Sequence, residues 1–154
     1  MLKTKTSFLA AALLGIAVLL PGYAIAQNYP PSVKQLVAET KKQVKTMDMA
    51  AFKAAIDQKA AGLIVDVREP GEYAEGFVPG AINVPRGLIE FTIWEHIGFP
   101  DKTDMNKQIS LYCRTGGRCT LAAKSLKDLG LTNVTAVDML FENWVKAGYP
   151  VAKK

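Results

Sequence analysis

Residues 8–20 form an uninterrupted run of apolar or small side chains, and beyond them the apolar positions break into short, separated groups. Leu63-Ile64-Val65-Asp66-Val67, of β-branched character, residues 109–113 and residues 134–137 are brief apolar runs. They predict buried strands, and Ala81-Ile82-Asn83-Val84 reads as a shorter one. Between them the spacing turns helical. Residues 120–129 present Leu121, Ala122, Leu126 and Leu129 on one face and stop at Gly130, and residues 141–147 make a last helix closed by Gly148 and Pro150. Asp48 is a suitable N-cap for a helix to about Lys59, and residues 88–97 read as helical. Upstream, Val33, Leu36, Val37, Val44 and Met47 fall near one helical face. Residues 68–85 read as a Gly- and Pro-rich loop in which Glu72, Tyr73 and Glu75 form one helical turn with a solvated face.

Strands alternating with helices predict a single α/β domain, with a central, mainly parallel sheet and helices on both faces. An extra N-terminal helix precedes it. The expected division is a leader over residues 1–26, a helical extension over 27–47 and the domain over 48–154. The chain has 154 residues, 49% hydrophobic and 21% charged, with two cysteines; this excludes disordered, collagen-like and disulfide-stapled classes. Of 19 basic side chains against 14 acidic ones, Lys3 and Lys5 sit in the leader, which carries no acid. The remaining excess is small and spread along the chain, so no nucleic-acid partner is expected.

The leader reads as a secretory signal peptide. Lys3 and Lys5 give the positive start, residues 8–20 the apolar core, Pro21-Gly22 the helix break, and Ala24-Ile25-Ala26 the cleavage site after Ala26. Thirteen apolar residues fall short of the ~20 that span a bilayer. A periplasmic or secreted protein without stable membrane insertion is the expectation. Such a compartment is oxidising, which matters for both cysteines.

Ligands of open α/β sheets bind beyond the carboxyl ends of the strands. At one such end stands Cys113-Arg114-Thr115-Gly116-Gly117-Arg118-Cys119. A strand runs into Cys113, a turn follows, and a helix is expected from about Cys119 or Thr120. Gly116-Gly117 permits positive φ and a tight curl. Successive N–H groups can then converge in an anion nest, with Arg114 and Arg118 adding positive charge. Cys113 at its rim is expected to have a lowered pKa and to act as a nucleophile toward an oxyanion of sulfur, phosphorus or arsenic. The bland alternative, a buried cysteine ending a strand, does not account for two arginines and two glycines in the next five positions.

The hexapeptide 113–118 resembles the C-R-x-G-x-R loop of the rhodanese (sulfurtransferase) superfamily. Asp66-Val67-Arg68-Glu69, Glu72-Tyr73 and the segment 76–85 resemble its first-strand signature and its G-H-[IV]-P-G-A-x-N-[IV]-P segment, while Trp144 and Gly148-Tyr149-Pro150 match its closing helix and tail. The resemblance implies that Cys113 takes sulfur from thiosulfate or a similar small sulfur anion. A Cys113 persulfide then passes the sulfur to a thiol, to cyanide or to a protein acceptor, with 114–118 binding the donor. Two departures stand out: Phe77 replaces the usual His, and Asp138-Met139-Leu140-Phe141 replaces a Gly-Gly pair, which brings bulk beside the loop.

Three other readings compete. Phosphatases and arsenate reductases of this fold carry a loop one residue longer, whereas Arg118 here arrives one position early. A non-catalytic anion-binding module would be expected to lack Cys113. A periplasmic thiol–disulfide protein would use Cys119 as a resolving thiol, provided the two Cα atoms lie within ~7 Å. No metal or cofactor is expected: His96 is the sole histidine and reads as a surface or packing residue, and two cysteines do not make a zinc set. Asp66 and Arg68 are expected to hold loops rather than to react.

Overall fold

Short apolar strands that read as buried on both faces need a parallel sheet with cover on each side, and this is what they form. The computed structural model describes residues 29–153, so the leader lies outside the described residues. Five strands, β1 (Lys45–Asp48), β2 (Leu63–Asp66), β3 (Ile82–Asn83), β4 (Ile109–Tyr112) and β5 (Val134–Asp138), pair in the order β1-β5-β4-β2-β3, all parallel. Six α-helices connect them: α1 (Pro31–Lys41), α2 (Met49–Asp57), α3 (Pro70–Glu75), α4 (Ile89–Thr92), α5 (Gly117–Asp128) and α6 (Phe141–Lys146). A 3-10 turn, Ile93–His96, continues α4 and ends on the exposed His96.

Two cores result. On one face Ile89, Ile93, Ala122, Ala123 and Leu126 pack with Val65, Leu111 and Ala136; on the other, Phe52 and Trp144 pack with Tyr112 and Val137. Asp48 caps α2 as expected, its carboxylate accepting from the Ala51 N–H at 2.8 Å. Arg68 and Asp66 form a buried ion pair at the end of β2, and the Asn83 side-chain amide donates to both of their carbonyls. They hold loops, as anticipated. Phe77 also has a structural place: its ring stacks on Tyr73 with centroids 4.0 Å apart, and its backbone bridges Ala152.

The structure corrects four expectations about the secondary structure and its faces. The first helix stops at Lys41, and Lys45–Asp48 forms the edge strand β1, because β5 offers it a full parallel register from Lys45↔Thr135 to Asp48↔Asp138. The second correction concerns α5, which begins at Gly117 rather than near Thr120, so Arg118 and Cys119 already lie in its first turn. Third, only Gly116 of the glycine pair takes the left-handed conformation, with φ +84°, while Gly117 is helical. Fourth, Leu129 is exposed at the end of α5, and Ala123 takes the inward place. On α1 the apolar face stays largely open: Val33 and Leu36 are exposed, Val37 is half-buried, and the helix lies against α5.

Candidate functional site

Cys113 follows the last residue of β4, and residues 114–116 turn the chain into α5. Gly116 closes the turn. Its carbonyl accepts from the Thr120 hydroxyl at 2.7 Å and from the Thr120 N–H at 3.2 Å. The positive φ of Gly116 favours glycine, and a side chain there would also press on the Asp138 carboxylate at 3.0 Å. The Phe141 N–H donates to the Arg114 carbonyl at 2.9 Å and ties the turn to α6.

Cys113 and Cys119 are both fully buried, with their Sγ atoms 3.6 Å apart. The Cys119 thiol, together with the N–H groups of Cys119 and Thr115 and the charge of Arg118, favours the Cys113 thiolate. These interactions outweigh burial and bring the Cys113 pKa down to about 6. The pair cannot both ionise in so small a space, so the Cys119 thiol is pushed well up by Cys113 and by burial. Cys119 Sγ also lies 3.1 Å from the Gly116 carbonyl and 3.4 Å from that of Val137.

The two arginines have different surroundings. Arg118 donates to both carboxylate oxygens of Glu72, at 2.6 and 2.9 Å. That bond holds the Glu72 carboxyl below its ordinary range. Arg114 is exposed and makes no ion pair among the described residues. Glu72 was expected on a solvated face; nothing local in the sequence announces a partner 46 positions away. Its capping-box contact with Glu69 fixes α3 and thereby presents the carboxylate to Arg118.

Outside the turn lies a cleft of about 750 Å³, walled by α1 on one side and by residues 114–118 on the other. Leu140 lines it as well, whereas Met139 is buried. Lys41 pairs with Asp138 and pins the end of α1 beside Gly116. Among the described residues no group of three or more His, Cys, Asp or Glu side chains is gathered to hold a metal ion.

Residues 48–147 match the rhodanese-like domain family. The chain belongs to that family. It is 33% identical over 93 residues to the thiosulfate:glutathione sulfurtransferase of Saccharomyces cerevisiae, covering 56% of this chain and 66% of the yeast one. A Bacillus subtilis protein provisionally named a sulfur carrier is 27% identical over 107 residues, or 70% of this chain and 54% of that one. The rhodanese-like chain thus spans only about half to two thirds of the length of these relatives. Among solved structures, a Rhodopseudomonas palustris protein of unknown function, described as a possible tyrosine phosphatase, superposes with a TM-score of 0.65 at 30% identity. That similarity covers 82% of this chain and 98% of the other.

Proposed function

We propose that the protein is a sulfurtransferase that carries sulfane sulfur on Cys113. The observation that supports this most is the Cys113 sulfur at the foot of the turn, kept as a thiolate by the N–H groups of Thr115 and Cys119 and by the Cys119 thiol. The thiolate attacks the outer sulfur of thiosulfate; the S–S bond breaks, sulfite leaves with its electron pair, and Cys113 becomes a persulfide. A thiol, cyanide or a protein acceptor then takes the outer sulfur and restores the thiolate. Because Cys113 is fully buried, residues 114–116 must move to admit the donor. Arg118 is already matched by Glu72, so Arg114 supplies the free positive charge for the donor.

The activity named for the yeast relative supports thiosulfate as donor and a small thiol as acceptor. The description of the Rhodopseudomonas relative favours a phosphatase, but Arg118 stands one position too near Cys113 for a phosphate-sized loop. Initial rates with thiosulfate and either glutathione or cyanide test the reading. Parallel double-reciprocal lines that vanish in Cys113→Ser support it; turnover of an aryl phosphate without sulfite release would replace it. The leader sequence supports placement outside the cytoplasm, and the N-terminal residue of the protein recovered from cells tests that placement.

A further inference from the structure

Transfer from Cys113 to an external acceptor leaves one buried nucleophile unused. Cys119 sits in the first turn of α5, fully buried, with its sulfur in contact with that of Cys113 at 3.6 Å. No solvent-borne acceptor can be nearer to the inner sulfur of a Cys113 persulfide. We propose that Cys119 resolves this persulfide internally, so that the protein reduces sulfane sulfur to hydrosulfide. The proposal rests on the sulfurtransferase reading.

The step balances without an added oxidant. Cys119 loses its proton and its sulfur attacks Cys113 Sγ. The new Cys113–Cys119 bond forms as the bond to the outer sulfur breaks. The electron pair leaves with the outer sulfur, which takes up a proton and departs as hydrosulfide. Cys119 is oxidised and the departing sulfur is reduced. A dithiol reductant then returns both cysteines to thiols by exchange.

Two features favour the internal route. The sulfurs must close from 3.6 Å to about 2.0 Å, and the turn at 114–116 that must open for the donor is part of the five-residue segment joining them. Burial of both sulfurs also keeps competing thiols away from the inner sulfur.

The test uses the full chain, reduced, freed of reductant under argon, and treated with thiosulfate or with inorganic polysulfide. With thiosulfate, sulfite and hydrosulfide are expected in equal amounts, and the intact protein should lose the mass of two hydrogens. Assayed on the alkaline plateau, where loss of the Cys119 contact no longer limits the Cys113 thiolate, Cys119→Ser and Cys119→Ala should release sulfite, keep the mass of one added sulfur and lose hydrosulfide release. Wild-type protein that keeps the added sulfur and releases no hydrosulfide overturns the proposal while the sulfurtransferase reading stands. A disulfide found only between two chains overturns it as well. If neither donor loads sulfur on any form, both readings fall.

Discussion

Arg118 in the first turn of α5 grips Glu72 of α3 through two parallel hydrogen bonds, at 2.6 and 2.9 Å. Such bidentate pairs fix geometry as well as charge. The pair therefore sets where one end of the active turn lies, and Glu72 is a positioning residue. Glu72→Gln should lower stability by about 1 kcal/mol, since the pair is partly exposed. It should also lower kcat/KM for the donor more than kcat, and thermal unfolding with steady-state kinetics checks both. The folded-state pKa of Glu72 is depressed, so its contribution is present above the ordinary carboxylate range and is lost as pH falls through the lowered value. Glu72→Gln should flatten that part of the acid limb.

The Cys113 thiolate predicts a pH profile. Sulfur loading should rise with pH through about 6 and level off above it. Below the midpoint it should fall about tenfold per pH unit. Removing the Cys119 thiol takes away the largest stabilising contact, so Cys119→Ala should move the midpoint upward. Single-turnover sulfite release across pH measures both; an unmoved midpoint would deny the Cys119 contact its role.

Gly116→Ala should damage the turn. It combines φ +84° with a 3.0 Å approach to Asp138, and strain of this kind costs about 1–3 kcal/mol. Gly80→Ala, at φ +81° but with open space around it, is the control. It should destabilise less and leave sulfur loading closer to wild type, as thermal unfolding and sulfite release will show.

Asp66 and Arg68 should behave as one unit. Both are buried, and Arg68 also donates to the Gly76 carbonyl and lies 4.0 Å over the Phe141 ring. Removing either partner alone should cost about 3–5 kcal/mol by stranding a buried charge. Asp66→Asn combined with Arg68→Met should cost clearly less than the sum, which denaturant titration of the four proteins measures.

Strands β2, β4 and β5 were legible in the sequence because burial on both faces leaves an apolar run that needs no partner to be recognised. β1 was not. Its sequence Lys-Thr-Met-Asp is exposed or half-buried throughout, and only pairing with β5 makes it a strand. The cysteine, the glycines and the arginines stood out because they are contiguous, but the start of α5 at Gly117 and the helical state of that glycine did not. The Glu72–Arg118 bond depends on how the helices are placed, and spacing along the chain carries no trace of it. Cys119 was legible as a possible partner of Cys113, but the approach of the two sulfurs to 3.6 Å needed the fold.

The edge strand and α1 both begin before residue 48, where the family match starts. A chain trimmed to the matched segment would expose the free edge of β5 to other chains. It would also lose one wall of the cleft outside the turn 114–118 and the Lys41 anchor on Asp138. The unit to express or graft whole is therefore longer at its N-terminal end than the matched segment 48–147.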